Sequence, residues 1–491
     1  MAEDTRATEP AIPEDNVVTS KHTLRIRGKE IRYTVNVGTV VLREEVDKQG
    51  HKPKAEMFFI AFTRDGQKNV ARRPLTFSFN GGPGSSSVWM LLGLLGPKRV
   101  PLSLDDAVKD KRLAPPFQVE NNEFTLLEET DLVFIDPVGT GYSRPLAGED
   151  NDPDEFYTFR RDLDSVGEFI RLYTSRNKRW SSPKFLIGES YGTTRAAGLS
   201  GFLQDRFGLY LNGIMLVSAV LNFQTILFHP GNELPYVVYV PTYAMTARYH
   251  GKLASRYGAM EDREFIDEVI AFTEDEYLPA LHKGSGLGED DRIAIAERLA
   301  GYIGVSREYI LQNNLRVPIM RYVKEILRAE GRSVGRFDSR ISGVDKDDAA
   351  ENFERDPSFD VVQGVYSACL NDYVRRELKF ESDLPYEILS FKVLPKWQYD
   401  EFQNNFVNVS ETLRGAMMKN PHLKLFVANG IYDMATPFYA TEYTVNHLGL
   451  RDGVDRNVTM AYYGAGHMMY THRPSLRSLS ADLKKFIRGA S

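Results

Sequence analysis

Apolar runs of strand length dominate the chain from Val17 to Phe79. Apolar and polar residues alternate over His22–Val37, and Gly28-Lys29 in the middle of this stretch is typical of a hairpin turn. Ala55–Thr63 and Pro74–Phe79 are rich enough in apolar residues to form further strands. The pattern therefore predicts a β-rich beginning of the chain.

Strands and helices alternate in the next part of the chain. Asp131–Ile135, Lys184–Ile187 and Leu211–Val217 are short apolar runs, and Asp154–Ser175 has the apolar spacing of a helix. Such alternation is typical of the α/β class, in which helices cover both faces of a mostly parallel sheet.

Helical periodicity takes over after about residue 222, and the β pattern returns only near the C-terminus. Leu423–Val427 and Asn457–Ala461 are the returning strands, Arg477–Arg488 is a closing helix, and Ser342–Pro357 is a polar, acidic connector. The helices predicted in between are Pro241–Arg256, Arg263–Leu278, Asp291–Tyr302, Arg307–Leu311 and Val317–Glu330.

These patterns predict one α/β core that is interrupted by a helical cap. The core comprises residues 17–222 and 386–491, the cap comprises residues 223–385, and residues 1–16 form a disordered tail. The 491 residues leave room for such an insertion, because a compact single domain needs only about 250 residues.

Composition and charge narrow the classes of partner. A chain with 42% hydrophobic and 26% charged residues is typical of globular proteins, and its net charge of -6 does not suggest the basic patch of a nucleic-acid binder. The densest apolar stretch, Val88–Leu95, is far shorter than the roughly 20 residues that cross a bilayer. We therefore expect neither a nucleic-acid partner nor membrane insertion.

The sequence leaves the compartment open. The polar stretch up to Asn16 lacks the basic start and apolar centre of a signal peptide, so the protein is either cytoplasmic or exported with its leader already removed. Cys369 is the single cysteine of the sequence, which excludes an internal disulfide and favours a reducing compartment.

The strongest chemical signal is Gly188–Gly192 (GESYG), which follows a predicted strand and precedes the helix-compatible stretch Thr193–Leu203. This is the context of a nucleophile elbow, in which glycines permit a strained strand-to-helix turn that exposes a serine hydroxyl. The helix N-terminus behind the serine also favours developing negative charge. Ser190 is therefore the candidate nucleophile.

The same five-residue pattern occurs a second time, at Gly331–Gly335 (GRSVG). This copy follows a predicted helix of the cap instead of a strand, so we interpret it as a loop that ends the helix. The context of the pattern, and not the pattern alone, selects Ser190.

A serine of ordinary acidity needs a base and an acid that orients the base, and in the α/β-hydrolase fold the chain order is serine, acid, histidine. His467 follows a predicted strand and a glycine-rich turn, whereas its competitor His472 lies beyond that turn. Asp433 lies on a loop after a strand, between nucleophile and base, whereas Asp136 has the wrong chain order. We predict a catalytic triad of Ser190, Asp433 and His467.

The glycine-rich stretch Asn80–Ser86 (NGGPGSS) follows an early predicted strand. In this fold the loop after such a strand donates one oxyanion-hole N–H, and the residue after the nucleophile donates the other. We therefore predict that Gly82 and Tyr191 form the oxyanion hole. A phosphate-binding loop is a weak alternative, because no Lys-Ser or Lys-Thr follows the glycines.

No metal site is indicated by the sequence. His467 and His472 lie five positions apart without the acidic partner of a zinc-binding HExxH motif. We expect no cofactor.

Together the motifs resemble those of the S10 family of serine carboxypeptidases. The matching segments run in family order from about Leu75 to the end of the chain. They are Asn80–Ser86 with Gly96-Pro97, Asp136–Ser143 (DPVGTGYS), Gly188–Gly192, Asp433 and Gly464–Met468 (GAGHM).

The resemblance implies an α/β-hydrolase fold with the triad and oxyanion hole named above, and a homodimer. It also implies that Asn80, Gly81 and Glu189 hold the free C-terminus of the substrate. A carboxyl group that faces a carboxylate can share one proton with it only while one of the two is protonated, so such a site works best in acid.

The chain departs from the family pattern at two positions. Leu94 stands where the family usually has a second glutamate, so half of the acidic clamp is missing. Ser85 stands where many members have a disulfide cysteine, and together with the lone Cys369 this implies a prokaryotic, disulfide-free branch.

We expect a serine-type carboxypeptidase that hydrolyses C-terminal peptide bonds through an acyl-enzyme intermediate. The alternative is a serine amidase, esterase or other peptidase that uses the same triad on a small amide or ester, without a strict need for a free C-terminal carboxylate. A catalytically silent binding protein with a hydrolase fold is disfavoured, because all three triad candidates are present.

Overall fold

A computed structural model describes residues 13–46, 50–104, 113–146 and 152–491. The strands in these residues are, in chain order, β1 (Asn16–Ile26), β2 (Lys29–Val46), β3 (Gly50–Arg64), β4 (Leu75–Phe79), β5 (Lys98–Arg99), β6 (Glu120–Asn121), β7 (Asp131–Ile135), β8 (Arg144–Pro145), β9 (Lys184–Ser190), β10 (Gly213–Ala219), β11 (Ser333–Val334), β12 (Ser342–Gly343), β13 (Lys424–Gly430) and β14 (Val458–Tyr463).

Ten of these strands form one central sheet. Its order is β1-β2-β3-β7-β4-β9-β10-β13-β14, and β8 pairs with β3. Neighbouring strands from β7 to β14 are parallel, whereas β1, β2 and β3 form an antiparallel meander at one edge. The prediction of a mostly parallel central sheet is confirmed.

The middle strands are buried along their whole length. Every residue of β4, β7 and β10 is buried, as the continuous apolar runs in these segments predict for strands that are covered on both faces. The exposed positions of β1, in contrast, alternate with more buried ones, because one of its faces is open to solvent.

The first hairpin differs slightly from its prediction. The turn between β1 and β2 consists of Arg27 and Gly28, both with positive φ (48° and 79°), because Ile26 pairs with Lys29. The turn therefore lies one residue earlier than expected. Asn16 is already the first residue of β1, so the predicted tail does not reach position 16; residues 1–12 of that tail lie outside the described residues.

Fifteen α-helices lie in the described residues. They are α1 (Val88–Met90), α2 (Phe159–Arg176), α3 (Tyr191–Phe207), α4 (Leu234–Val238), α5 (Val240–Tyr249), α6 (Ser255–Gly258), α7 (Asp262–Phe272), α8 (Leu278–Lys283), α9 (Glu289–Ile303), α10 (Arg307–Gln312), α11 (Ile319–Glu325), α12 (Pro357–Asp372), α13 (Ser410–Lys419), α14 (Phe438–Asn446) and α15 (Arg473–Ala490).

Short turns of other helix types extend or connect these helices. The π-helical turns are Leu91–Leu95, Thr273–Tyr277 and Tyr373–Glu377. The 3₁₀ turns are Val70–Arg72, Leu126–Glu128, Pro153–Phe156, Phe223–Thr225, Gly284–Gly286, Arg328–Glu330, Leu394–Lys396, Asp400–Phe402, Val454–Asn457 and Met469–Thr471.

The cap helices share an apolar cluster with Met434 and helix α14 of the core. The buried side chains of α4, α5, α7, α9 and α11 pack into one cluster, separate from the two clusters that lie on the faces of the sheet. Helix α12 belongs to a sheet cluster, where its Tyr366 ring lies 5.0 Å from the ring of Trp89. The chain thus packs against the sheet again at α12, and the end of the cap at residue 385 stays a prediction.

The site residues lie at one edge of the sheet. Parallel strands β4, β9, β13 and β14 run in the same direction, so the loops that follow them meet at their carboxyl ends. These loops begin after Phe79, Ser190, Gly430 and Tyr463. In the described part of the chain, no helix combines the length and the apolar character that crossing a membrane requires.

Candidate active site

Ser190 occupies the sharp turn between a strand and a helix. It is the last residue of β9, it has φ 60° and ψ -131°, and α3 begins at the next residue. A β-carbon at Gly188 would lie 2.1 Å from the carbonyl oxygen of Gly192, and one at Gly192 would lie 2.8 Å from that of Phe79. Both glycines are therefore required for the strained turn that presents the serine hydroxyl.

Asp433 and His467 form a buried hydrogen-bonded pair. His467 Nδ1 donates to Asp433 Oδ2 over 2.8 Å, and neither side chain is more than 4% exposed. The backbone N–H groups of Ala435 and Thr436 donate to Asp433 Oδ1 over 2.8 and 3.0 Å, and the Thr436 hydroxyl donates to Oδ2 over 2.8 Å. The carboxylate is thus fixed in the orientation that holds the histidine ring.

Opposing effects act on the pKa of His467. Burial lowers this pKa, but the charge and hydrogen bond of Asp433, together with the charge of Glu189, outweigh burial and raise it above its ordinary value. An imidazole held in this way can accept a proton at Nε2, because the resulting imidazolium is stabilised by the buried carboxylate.

Ser190 and His467 line one cavity of about 300 Å³ together with the glycine-rich loop after β4. In that loop Gly81 lies against the start of α3, since a β-carbon there would be 2.4 Å from the backbone nitrogen of Tyr191. Gly82 and Tyr191, the two predicted oxyanion-hole residues, also line this cavity. The structure therefore brings the candidate nucleophile, base and amide donors to one place.

A buried ion pair holds the glycine-rich loop from behind. Arg195 Nη1 donates to the Asn80 carbonyl oxygen over 2.6 Å, and its Nε donates to Asp162 over 2.8 Å. Sequence reasoning missed Arg195 and Asp162. The one sequence signal for this ion pair is the position of Arg195, about one helical turn after the nucleophile motif.

Glu189 and Asn80 meet at the floor of the cavity, as the resemblance implies. The Asn80 amide donates to Glu189 Oε2, and the Tyr470 hydroxyl lies 3.0 and 2.9 Å from the two carboxyl oxygens of Glu189. Burial raises the pKa of Glu189 to about 7, although the nearby His467 and the hydrogen bonds from Tyr470 and Asn80 counteract it. The carboxyl group can therefore be protonated in mildly acidic solution.

The hydroxyl of Tyr470 lies beside Glu189, and Leu94 does not reach this place. Leu94 is fully buried in the π-helical turn Leu91–Leu95 and is not among the residues that line the cavity. The same turn packs against the tyrosine, because a β-carbon at Gly93 would lie 2.3 Å from Tyr470 Cε2. Sequence reasoning missed Tyr470, which lies 281 positions from Glu189.

The alternatives for base and acid lie outside the cavity lining. Asp136 is buried beneath the loop after β4, where its Oδ1 accepts the Ser87 N–H over 2.8 Å. His472 Nδ1 lies 2.7 Å from the hydroxyl of Ser475 at the start of α15. Both positions are consistent with structural roles.

A segment of the cap, residues 333–341, contacts the histidine loop, which is the loop after β14 that carries His467. The His467 N–H donates to the Phe337 carbonyl oxygen over 2.6 Å, and the Gly466 N–H donates to Asp338 over 3.1 Å. Asp338 is itself paired with Arg340 over 2.7 Å. Sequence reasoning missed this segment, since no motif marks it apart from the second GxSxG copy at its start.

Among the described residues, no group of three or more His, Cys, Asp and Glu side chains could hold a metal ion. The chemistry that the described site offers is that of a serine nucleophile next to a histidine–carboxylate pair.

The comparison with known proteins agrees with the resemblance stated above. A family model described as serine carboxypeptidase, peptidase family S10, matches residues 46–222. Serine carboxypeptidase-like 5 from Arabidopsis thaliana is 26% identical over 144 residues, which are 29% of this chain and 30% of that protein. The pheromone-processing carboxypeptidase KEX1 from Saccharomyces cerevisiae is 32% identical over 163 residues, which are 32% of this chain and 20% of that protein.

The likeness to a solved structure extends further along the chain. The crystal structure of Kex1Δp, a prohormone-processing carboxypeptidase from Saccharomyces cerevisiae, covers 93% of this chain and 91% of its own, with a TM-score of 0.56 and 16% identity. The sequence alignments, in contrast, span less than a third of the length of these two curated relatives. The chain therefore resembles the S10 serine carboxypeptidases and has the α/β-hydrolase fold, whereas the prokaryotic, disulfide-free branch stays a prediction.

Proposed function

We propose that the protein is a serine carboxypeptidase that releases the C-terminal residue of peptides. Ser190 Oγ attacks the carbonyl carbon of the last peptide bond while His467 Nε2 takes the hydroxyl proton. Asp433 stabilises the imidazolium, and the N–H groups of Gly82 and Tyr191 bind the oxyanion. The C–N bond then breaks as His467 gives the proton to the leaving amine.

Water completes the reaction in the second half of the cycle. His467 takes a proton from the water molecule as its oxygen attacks the acyl-enzyme carbonyl carbon. The ester bond to Ser190 then breaks, and the serine oxygen regains a proton from His467. Each step uses the same base and the same oxyanion donors.

The observation that carries the proposal is the buried carboxyl group of Glu189 beside the candidate nucleophile. Glu189 and its donor Asn80 line the cavity that contains Ser190, which favours a substrate whose free carboxylate lies next to the bond that is cut. Because its pKa is raised to about 7, Glu189 carries a proton in mild acid and can donate it in a hydrogen bond to that carboxylate.

The pH dependence follows from the same group. As the pH rises through about 7, Glu189 ionises and repels the substrate carboxylate. Its negative charge also raises the pKa of His467, so that the base is held protonated to higher pH. The first effect opposes peptidase activity on free acids above neutral pH, whereas the second opposes it below the pKa of His467, where the base is protonated.

A serine amidase or esterase is the second candidate. It is favoured by Leu94, which places a buried apolar side chain where the family usually has a second glutamate. With a single carboxyl group among the described residues that line the cavity, recognition of a free C-terminus is weaker than in a two-carboxyl clamp, and substrates without a carboxylate compete better.

The test compares an N-blocked dipeptide that has a free C-terminus with its C-terminal amide, from acid to neutral pH. A carboxypeptidase cleaves the free acid much faster, mainly in acid, and the Ser190→Ala variant cleaves neither. If the amide is cleaved as well as the acid, the proposal of an exopeptidase is wrong and the amidase or esterase remains.

A further inference from the structure

Arg336 lies on the wall of the cavity that contains Ser190 and His467. Its backbone is fixed on both sides, because its N–H donates to the Asp356 carboxylate over 3.2 Å and its carbonyl oxygen accepts the Met434 N–H over 3.0 Å. The partly buried side chain is therefore held at the cavity by contacts that do not involve its charge.

The Arg336 guanidinium packs on an aromatic ring. Its central carbon lies 4.6 Å from the centre of the Phe337 ring. Within the described residues, no acidic side chain forms an ion pair with it, whereas the nearby Arg340 and Arg195 are paired with Asp338 and Asp162. A partly buried cation without a counter-charge favours binding of an anion.

The other charged groups of the cavity strengthen this preference. Glu189 is the only acidic residue among the described residues that line the cavity. Because its pKa is about 7, it is mostly protonated in acid. The guanidinium of Arg336 is a cation. In acid the cavity is therefore positively charged, which attracts a carboxylate.

Contacts place Arg336 on the side of the base. The Phe337 ring under the guanidinium packs against the His467 ring, with 5.0 Å between their centres. Phe337 also packs against Phe359, and Phe359 contacts Trp89. The residue after Trp89, Met90, donates its N–H to the side chain of Asn80. Since the base gives its proton to the leaving amine, this wall faces the residue that is released.

We propose that Arg336 binds a carboxylate of the leaving residue and so determines substrate specificity. The inference rests on the proposed function and assigns to one cap residue the part of carboxylate recognition that Leu94 cannot supply. A guanidinium can form two parallel hydrogen bonds to one carboxylate, which a single carboxylic acid cannot do. That carboxylate is either the α-carboxylate of the leaving residue or its acidic side chain.

The experiment compares Arg336→Gln and Arg336→Lys with the wild-type enzyme on two matched substrate pairs. One pair is an N-blocked dipeptide with C-terminal leucine and its amide, and the other is a pair of free acids with C-terminal glutamate or glutamine. Arg355→Gln is the control, because Arg355 is an exposed arginine of the same region that does not line the cavity.

We expect Arg336→Gln to lower kcat/KM by about 10- to 100-fold for the substrate whose carboxylate it contacts, mainly through KM, since charge-assisted hydrogen bonds of this kind are lost. A selective loss on the leucine acid identifies the α-carboxylate, and a selective loss on the glutamate substrate identifies the side chain. Arg336→Lys restores part of the loss. Equal losses, or none, within both pairs would overturn the inference.

Binding measurements on variants that cannot cleave substrate test this inference independently of the proposed function. Calorimetric affinities of the same four compounds are measured with Ser190→Ala and with Ser190→Ala/Arg336→Gln. If the wild-type enzyme cleaves none of the four compounds, the proposed function fails. The inference then stands only if the arginine substitution still weakens the acid of one pair selectively.

Discussion

The two copies of the GxSxG pattern have the same arrangement of glycines and serine in the sequence, but they differ in structure. In Gly188–Gly192 the serine ends a buried parallel strand, has φ 60° and precedes helix α3. In Gly331–Gly335 the serine opens the two-residue strand β11, which pairs with β12, and is only 2% exposed. The pattern therefore exposes a serine only where a strand turns sharply into a helix.

The glycines of the two copies also serve different purposes. Gly188 and Gly192 are required by close backbone contacts within the turn. Gly331, in contrast, has φ 64° and ends the 3₁₀ turn Arg328–Glu330, which is an ordinary position for glycine at a helix end. Gly331 thus ends a helical turn as predicted, whereas Ser333 and Val334 form strand β11 and not the predicted loop.

The second copy nevertheless leads directly into the site. The residues after it include Arg336 and Phe337, which reach the cavity, and Asp338, which binds the Gly466 N–H. One copy thus carries the candidate nucleophile, and the other begins the cap segment that covers the candidate base.

The largest difference is expected between Ser190→Ala and Ser333→Ala. Loss of the nucleophile lowers kcat by around a million-fold, because only oxyanion stabilisation and binding remain. Ser333 does not line the cavity, so its substitution leaves kcat within about twofold. Turnover and labelling by a serine-directed fluorophosphonate measure both variants. An active Ser190→Ala enzyme would contradict the assignment of the nucleophile.

The next difference is expected between two carboxylates that act on the histidine loop. Asp433→Asn keeps the shape but offers an N–H to His467 Nδ1 and favours the wrong tautomer, so kcat falls about 10⁴-fold. Asp338→Asn breaks a buried ion pair with Arg340 and lowers the free energy of unfolding by about 3–5 kcal/mol, with a smaller loss of kcat.

Kinetics and denaturant unfolding distinguish the two roles. If Asp433→Asn lost stability and kept its turnover, Asp433 would be a structural residue. For Asp338→Asn, a large loss in the free energy of unfolding with a small loss of kcat identifies Asp338 as a structural support of the loop.

The sequence predicted the strands of the sheet better than the helices of the cap. Strand Asp131–Ile135 has the predicted bounds, and the order of Ser190, Asp433 and His467 follows from motifs that short stretches of sequence contain. The predicted helix Val317–Glu330 instead divides into α11 and a 3₁₀ turn. Periodicity shows which residues face a core, but not where the backbone stops being helical.

Partners that lie far apart in the sequence could not be predicted. Tyr470 meets Glu189, and Arg195 meets Asp162, only because the sheet and its helices bring distant segments together. No local sequence pattern predicts which of these distant residues pair. The position of Arg336 on the cavity wall depends in the same way on the packing of the cap segment.

A third difference concerns stability and compares Gly188→Ala with Gly331→Ala. The first places a β-carbon 2.1 Å from a backbone oxygen of the same turn, so the turn must open, and we expect a loss of about 3 kcal/mol or more in the free energy of unfolding. The second places a β-carbon in ordinary van der Waals contact with the Asp348 carboxylate, 3.4 Å away, and costs only about 1 kcal/mol for positive φ. Equal unfolding midpoints would contradict the tight contact in the first turn.

The smallest expected difference compares the residues that precede the two serines, Glu189 and Arg332. Wild-type kcat/KM for a free-acid dipeptide falls as the pH rises through about 7, because Glu189 ionises there. In Glu189→Gln this fall disappears, since glutamine does not titrate, and kcat/KM at pH 8 exceeds the wild-type value by up to about tenfold. The acid limb moves little, because Glu189 is mostly protonated there and its charge does not act on His467.

Arg332→Gln is the matched control for this profile. Arg332 binds Ser342 in the β11–β12 hairpin, over 2.8 Å to the hydroxyl and 3.0 Å to the carbonyl oxygen, and does not line the cavity. Its substitution therefore leaves the pH profile unchanged. If the profile of Glu189→Gln also kept its fall near pH 7, another group would govern the alkaline limb, and Glu189 would not be the acid that faces the substrate carboxylate.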